Sequence, residues 1–219
     1  MMDFDLCIIE PSAKSLAYLN SRLKRSLDIL GALTGIGLGM PIFLIAALLV
    51  KLVDDIPVLF FQERIGWHGQ SFVMVKLRTL VVDENRVTNP ETLYKKPTYV
   101  TTRTGRFWRI TSIDEIVQFF LVLRGEMSLI GHRPIPCYYL PHLTSLDQMN
   151  PTKIEHYLRV IYQYKPGMSS LSSVNGRGDL TLQQKFMYDL IYAREANLVY
   201  DLKLILQTLY VVVSRQGAK

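Results

Sequence analysis

The longest apolar stretch of the chain, from Ile29 to Val50, contains no charged residue. A helix of about 20 apolar residues is enough to cross the hydrocarbon core of a bilayer. Pro41 lies near the middle of this stretch, and a proline removes one helical hydrogen bond and crowds the preceding turn. The pattern therefore predicts either a spanning helix or a helix-break-helix that enters the bilayer and returns.

Charges on both sides of the apolar stretch favour a segment that turns back. Arg22, Lys24 and Arg25 precede it, and Lys51 follows it. Positive residues beside a membrane segment prefer the cytoplasm, and the first residues lack the basic and apolar regions of a signal peptide. A re-entrant segment keeps both flanks on one side. Because kinked helices also span membranes, the spanning alternative stays open on this evidence.

Beyond residue 52 the pattern changes to short β-rich runs and helical periodicity. The runs "VLFFQ" and "SFVMVKL", separated by the turn-like "ERIGWHG", predict a β-hairpin. The polar residues 83–105 predict a long loop. Helices are predicted over 113–123, 151–163 and 181–213, with an extended "HRPIPCYYLP" and a loop over 164–179.

These elements predict an α+β protein in three parts. The parts are a leader (1–21), a re-entrant membrane helix hairpin (22–52) and a mainly helical cytosolic domain (53–219) that contains the β-hairpin. Polar residues interrupt the apolar surface of the last helix. Such an amphipathic helix lies either on the membrane surface or in the core.

The composition agrees with an anionic partner. The chain has 219 residues, a net charge of +6, 49% hydrophobic residues and a mean hydropathy of +0.15. Such a chain suits a bilayer surface, a phosphate-bearing substrate or a nucleic acid. The basic residues are interleaved with acidic ones and form no nucleic-acid module, so no nucleic-acid partner is expected. The two cysteines lack the spacing of a zinc site.

The densest polar cluster is "RITSIDE" (109–115). Ser112 and Glu115 fit a capping box, so an ordinary helix start is one interpretation. Cations near a helix start also suit phosphate. Asp114 and Glu115 diverge on a helix, which favours separate roles: one carboxylate attacks, and the other binds Mg²⁺ together with substrate phosphates.

Several motifs in order resemble one family. They are "KRSLDIL", "VLFFQERIG", "FVMVKLRT", "RITSIDEIVQFFLVLRGEMSLIGHRP" and "KPGMSSLSSVNGR". The sequence resembles the bacterial sugar transferases of the monotopic phosphoglycosyl transferase superfamily over roughly residues 22–215.

The resemblance implies a role for particular residues. Asp114 matches the catalytic aspartate that forms a covalent phosphosugar intermediate, and Glu115 matches its catalytic, Mg²⁺-binding partner. Pro41 matches the proline that breaks the re-entrant helix. Contacts to phosphate or substrate are implied for six further residues: Lys76, Arg78, Arg109, Arg133, Asn175 and Arg177.

The resemblance also implies an activity and a location. The expected reaction transfers a phosphosugar from a UDP-sugar to polyprenol (undecaprenyl) phosphate, releases UMP and initiates surface glycan or exopolysaccharide synthesis. The expected location is the cytoplasmic face of the bacterial inner membrane, in contact with its lipids. Departures at His132, Leu171 and Ser173 leave a changed sugar preference or an inactive scaffold of the same fold as alternatives, and a homo-oligomer also stays open.

Overall fold

The computed structural model describes residues 9–82, 99–143 and 150–214, without the side chains of His142 and Arg177. The helices are α1 (Ala13–Leu19), α2 (Arg22–Leu49), α3 (Gly105–Ile110), α4 (Phe119–Arg124), α5 (Pro151–Ile161), α6 (Leu171–Val174), α7 (Leu182–Glu195) and α8 (Leu198–Ser214). The strands are β1 (Leu59–Ile65), β2 (Ser71–Leu77), β3 (Leu80–Val82), β4 (Tyr99–Thr101), β5 (Ser128–Ile130) and β6 (Gly167–Ser169). A π-helical turn extends α2 over Val50–Asp54, and 3-10 helices lie at Trp67–Gly69, Ile113–Gln118, Cys137–His142 and Arg177–Asp179.

Helix α2 contains the apolar stretch and continues through Pro41 without interruption. This corrects the predicted helix-break-helix, because the segments before and after Pro41 form one helix. Pro41 cannot donate a hydrogen bond to the carbonyl of Gly37, four residues earlier, and a Cβ atom at Gly37 would have no neighbour within 4 Å among the described residues. The re-entrant path through a membrane stays a prediction.

Glycines bring α2 close to the rest of the chain. A Cβ atom at Gly35 would lie 2.3 Å from the Phe119 ring, and one at Gly31 would lie 2.4 Å from the Leu129 side chain. Any larger residue at these two positions would push the neighbouring side chain away. After Pro41, the same helix packs Phe43 into a second core cluster. Helix α2 therefore lies along the domain over most of its length.

The opposite face of α2 is apolar and exposed. Among the described residues, Arg22–Asp54 is the one helical segment of sufficient length and hydropathy to cross a membrane, and only 17% of its most apolar window is buried. Helix α8 adds a second exposed apolar face. Large exposed residues on the two helices include Leu30, Leu38, Leu48, Leu206, Leu209 and Val213. Large apolar patches of this kind mark an interaction surface.

The predicted hairpin is confirmed, with one change in its strand bounds. β1 and β2 pair antiparallel, with Phe60 opposite Lys76 and Ile65 opposite Ser71. The residues Glu63–Ile65, predicted as part of the turn, belong to β1 because the pairing continues to Ile65. The predicted loop over 83–105 lies partly outside the described residues, and its described end contains β4, which pairs with β3.

The main core contains a parallel strand pair that the sequence did not predict. β5 pairs with β6 inside the segment that was predicted as a loop. The core helices α5 and α7 contribute Tyr157 and Phe186, whose rings stack with centroids 3.7 Å apart. The helix predicted over 151–163 is confirmed as α5. Part of the predicted extended segment is instead the 3-10 helix Cys137–His142.

The single helix predicted over 181–213 is wrong, because the segment divides into α7 and α8. Ala196 is extended, with ψ 129°. The Asn197 side chain then accepts a 3.0 Å hydrogen bond from the Tyr200 N–H. Asparagine is a favourable residue for starting a helix in this way, so a new helix begins where the first ends.

A buried ionic network joins α2 to α8 and β5. Lys24 Nζ lies 2.7 Å from Asp201 Oδ2 and 3.4 Å from Asp28 Oδ1, and it donates a 3.1 Å bond to the Ile130 carbonyl. Four further groups donate hydrogen bonds to the carboxylates of Asp28 and Asp201. They are the hydroxyls of Tyr18, Ser128 and Tyr192 and the backbone N–H of Leu129. The network fixes the start of α2 on the domain.

Candidate active site

One pocket brings together three of the residues that the sequence predicted for the site: Lys76, Glu115 and Arg133. It lies between the hairpin, the 3-10 helix Ile113–Gln118 and the segment around β6. Its polar lining among the described residues consists of Arg64, Lys76, Arg133, Glu115, Gln118, Ser170 and Ser173. The excess of cations over carboxylates suits an anionic ligand.

A strained turn precedes the two carboxylates, of which Glu115 lines this pocket and Asp114 does not. Ser112 has a φ of 56°, a left-handed conformation that is uncommon for residues other than glycine. The predicted capping box is not formed, since the Ser112 side chain makes no capping hydrogen bond and an N-cap residue is normally extended. Glu115 is directed to another partner. Backbone strain of this kind often occurs at functional sites.

Asp114 is buried, with 8% of its surface exposed. Burial, followed by the charge of the neighbouring Glu115, raises the pKa of its carboxyl from 3.8 to about 7, against the opposing charges of Lys76 and Arg109. The carboxyl is therefore divided between its neutral and ionised forms near neutral pH. Perturbed carboxyls of this kind are frequent among catalytic groups.

Glu115 is more exposed and forms an ion pair with Lys76 Nζ. Lys76 comes from β2 and Glu115 from the 3-10 helix, so tertiary packing brings together two residues that are 39 positions apart. The two adjacent carboxylates thus have different environments. This difference agrees with the prediction that they have separate roles.

Two residues of the pocket were missed in the sequence. Gln118 is only 1% exposed, and its side-chain Nε2 has no hydrogen-bond partner among the described residues. Arg64 donates a 2.6 Å bond to the Pro134 carbonyl, and burial, followed by the charge of Arg133, lowers the pKa of Arg64 to about 10. Side chains alternate between the two faces of a strand. Because Phe60 pairs with Lys76, Arg64 lies on the same face as Lys76, and this alternation is a sequence signal that indicates Arg64.

Comparison with known proteins identifies the family. The family model described as bacterial sugar transferase matches residues 19–215. The chain belongs to the bacterial sugar transferase family. The resemblance seen in the motifs is therefore confirmed.

Three relatives illustrate the range of the family. The chain is 35% identical over 201 residues to the UDP-glucose:undecaprenyl-phosphate glucose-1-phosphate transferase of Caulobacter vibrioides, covering 89% of this chain and 71% of that protein. It is 33% identical over 220 residues to the UDP-galactose-lipid carrier transferase of Erwinia amylovora, covering 94% of this chain and 44% of that protein. It is 31% identical over 197 residues to the uncharacterized sugar transferase EpsL of Bacillus subtilis, covering 89% of each. The chain spans about half the length of relatives such as the Erwinia protein.

The structure brings some of the predicted cations to the pocket and not others. Arg133 lines it together with Lys76. Arg109 lies outside the pocket lining but near enough to lower the pKa of Asp114. Arg78 donates to the backbone carbonyls of Pro57 and Leu59, at 3.0 and 3.1 Å. Arg78 therefore stabilises the entry to β1, and the structure places it away from the pocket.

In the segment after β6, two serines line the pocket, whereas Asn175 does not. Asn175 donates a 2.8 Å bond to the Leu171 carbonyl and does not line the pocket. The Arg177 side chain lies outside the described residues. Ser170 and Ser173 line the pocket instead, with their Oγ atoms 2.8 Å apart. They offer hydroxyl groups where the family pattern has other residues.

The histidine that departs from the family pattern is part of the core. His132 is fully buried, and its ring meets the Tyr164 ring edge-on. Burial lowers the pKa of His132 to about 4, so the ring is neutral at physiological pH. His132 therefore contributes a neutral, buried ring to the core next to Arg133 in the chain.

Proposed function

We propose that this chain is a phosphoglycosyl transferase that moves a phosphosugar from a UDP-sugar to polyprenol (undecaprenyl) phosphate. The observation that supports this most directly is the pocket in which Glu115 meets the cations Arg64, Lys76 and Arg133, with the buried Asp114 adjacent to Glu115 in the chain. The names of the Caulobacter and Erwinia relatives, which act on UDP-glucose and UDP-galactose, agree with this substrate class.

The first proposed step forms a covalent intermediate. An oxygen of ionised Asp114 attacks the sugar-linked phosphorus of the UDP-sugar, and the bond from that phosphorus to the bridging oxygen breaks. UMP leaves with the bonding electron pair. The fixed charges of Arg64, Lys76 and Arg133 would stabilise the negative charge that develops in the transition state.

The second proposed step returns the enzyme to its starting state. An oxygen of polyprenol phosphate attacks the phosphorus of the aspartyl phosphosugar, and the bond from phosphorus to Asp114 breaks. The product is polyprenol diphosphate sugar, and the Asp114 carboxylate is restored. The substrate of each step is anionic, which agrees with the charge of the pocket lining.

The donor groups of this pocket fit a magnesium ion bound together with substrate. Magnesium usually takes one or two carboxylates and completes its coordination with water and substrate phosphates. Glu115 offers one carboxylate at the pocket, and Asp114 lies next to it. A cation bound there would offset the charge of a substrate diphosphate. Glu115 would then exchange part of its interaction with Lys76 for the metal.

We also propose that the chain is monotopic, on the cytoplasmic face of the bacterial inner membrane. Helix α2 contacts the domain near both of its ends, through Lys24 and Val50. A helix bound in this way cannot project away from the domain as an isolated span. Its exposed leucines and those of α8 supply the surface for lipid.

Labelling from outside intact cells tests this topology. Asn20→Cys and Leu52→Cys place a thiol at each end of α2, in a chain whose Cys7 and Cys137 are replaced by serine. Protection of both thiols until the cells are permeabilised is the expected result. Labelling of only one of them from outside would show that α2 spans the membrane.

Substitution of the proposed nucleophile tests the reaction. Asp114→Asn should lower UMP release from a panel of UDP-sugars with undecaprenyl phosphate by at least about 10³-fold. It should also abolish protein-bound radiolabel from a UDP-sugar labelled in the phosphosugar. Asp55→Asn, at an exposed carboxylate, is the matched control and should be fully active.

The same assay separates the enzyme from an inactive scaffold. If the unsubstituted chain releases no UMP with any UDP-sugar, the scaffold alternative is correct. Full turnover by Asp114→Asn would instead remove Asp114 from its proposed role. Loss of UMP release on addition of EDTA, with recovery on addition of Mg²⁺, is the expected sign of the metal.

A further inference from the structure

A second cavity, of about 280 Å³, lies at the start of α2. It shares no lining residue with the pocket that contains Glu115, among the described residues. Its wall includes the first turn of α2, the residues after Tyr164 and the 3-10 helix that contains Trp67. The charged residues in the wall are Arg22, Lys24, Arg25, Lys165 and Asp28.

Most of these charges are already engaged by other groups. Asp28 and Lys24 belong to the buried ionic network. Arg25 donates to the backbone carbonyls of Val122 and Leu123, at 2.5 and 2.7 Å. These two carbonyls belong to the end of α4 and satisfy the Arg25 guanidinium without a carboxylate.

Lys165 differs from its neighbours, because its ammonium forms no hydrogen bond or ion pair with a described residue. It lies 5.1 Å from the centre of the Trp67 ring. Lys165 Nζ and Arg25 Nη2 both lie beside Gly125, 3.5 and 3.6 Å from the position that a Cβ atom there would take. Burial and the charge of Arg25 lower the pKa of Lys165, the charge of Asp28 opposes the shift, and the charge of Lys24 adds to it. The cations of this wall outnumber its one carboxylate, Asp28, which already faces Lys24, so the cavity attracts an anionic ligand.

Backbone N–H groups add hydrogen-bond capacity to the same cavity. The first turn of α2 lies in its wall, and the Ser21 hydroxyl caps the N–H of Lys24. The first N–H groups of a helix have no partner within the helix and attract anions. The Trp67 side chain lies in the same wall.

We propose that this cavity is a phosphate-binding site, separate from the proposed active site, in which Lys165 contacts a phosphate group at the membrane surface. The exposed apolar face of α2 begins at Leu23, between Arg22 and Lys24 of the cavity wall. A lipid whose phosphate occupies the cavity can therefore lay its chains along α2. A soluble phosphate has the same headgroup chemistry without that second contact.

Tryptophan fluorescence measures binding directly, because the chain has two tryptophans. In Trp108→Phe, the remaining signal comes from Trp67 in the cavity wall. The full chain in nonionic detergent is titrated with dihexanoyl phosphatidylglycerol and, separately, with inorganic phosphate. No UDP-sugar is present, so the result does not depend on the proposed reaction. A saturable change with the phospholipid, at concentrations at least tenfold lower than with inorganic phosphate, is expected for a lipid site.

Variants of the cavity show whether the signal reports the proposed contact. Lys165→Gln should weaken binding at least fivefold, whereas Lys165→Arg should keep it. Lys14→Gln removes an exposed lysine of α1 outside the cavity and is the matched control. Melting temperatures establish that each variant folds.

Each outcome decides the proposal. Equal affinity for inorganic phosphate and phospholipid keeps the phosphate site and assigns it to a soluble anion. A titration that does not saturate with either probe overturns the proposal. Equal weakening by Lys14→Gln and Lys165→Gln overturns it as well, since the signal would then follow net charge.

Discussion

Two clusters of buried polar residues differ in how fully their hydrogen-bonding groups are paired. In the network at the start of α2, Lys24 faces Asp28 and Asp201, and hydroxyl and backbone donors complete both carboxylates. In the proposed active site, the Gln118 amide is buried without a partner for its Nε2 among the described residues, and Asp114 is buried with a pKa near 7.

This difference separates a structural role from a functional one. Buried polar groups are normally hydrogen-bonded, and a group without a partner lowers stability. A network whose own bonds are complete fixes the position of two helices without a ligand. A cluster whose bonds are incomplete stores free energy that a substrate can recover on binding.

The largest expected effect is on the complete network. Lys24→Met leaves two carboxylates buried without their cation and should lower the free energy of unfolding by about 3–5 kcal/mol. The exposed pair of Lys51 with Asp55, at 3.0 Å, supplies the control, since Lys51→Met should change stability by at most about 0.5 kcal/mol. Denaturant midpoints in detergent micelles compare the two. Similar losses in both variants would contradict the structural role of the network.

A smaller effect, on activity, is expected from a substitution in the proposed active site, where the hydrogen bonds are incomplete. Gln118→Met keeps the side-chain volume but removes the amide donor. If Gln118 donates to a charged group of the substrate, kcat/KM should fall by about 10–100-fold, equivalent to the roughly 1.5–3 kcal/mol of such a bond. The melting temperature should not fall, because a buried donor without a partner is removed. A loss of stability with normal activity would make Gln118 a structural residue.

The smallest expected effect is the change in folding stability when the carboxyl of Asp114 is replaced, compared with that of Asp201. Because the folded pKa of Asp114 lies above the unfolded value of 3.8, the folded chain retains a proton that the unfolded chain loses between about pH 4 and 7. This group therefore lowers stability as pH rises through that range. In metal-free buffer, Asp114→Asn should be more stable than the unsubstituted chain by about 0.5–2 kcal/mol above pH 7, with a smaller gain near pH 4.

The matched variant in the network should behave in the opposite way. Asp201→Asn removes a charge from Lys24 and should destabilise the chain at neutral pH. Melting temperatures of both variants over pH 4–8 make the comparison. A gain for Asp114→Asn that does not grow with pH would mean that the carboxyl is not neutralised by burial.

Local sequence patterns predicted the elements whose signals lie within a few residues. The alternation in "SFVMVKL" predicted a strand, and helical periodicity predicted α5. The predictions that were wrong concern local features that depend on residues distant in the chain. Ser112 fits a capping box by spacing, yet it adopts a left-handed conformation and Glu115 pairs with Lys76 from another element. Pro41 predicts a break, yet packing on both sides keeps α2 continuous.

The site was predicted to a similar extent. The order of motifs identified the family and selected Asp114, Glu115, Lys76 and Arg133. It did not indicate Gln118, whose importance depends on burial without a partner, a property of the folded chain alone.

The sequence by itself determined the family, the apolar segment and the adjacent carboxylates, because these are properties of residues in order. Tertiary structure decided which side chains meet. The parallel pairing of β5 with β6, the ion pair between Lys24 and Asp201, and the cavity beside Lys165 each join residues distant in the chain. Such contacts depend on how the elements pack, and no local pattern encodes the free energy of that packing.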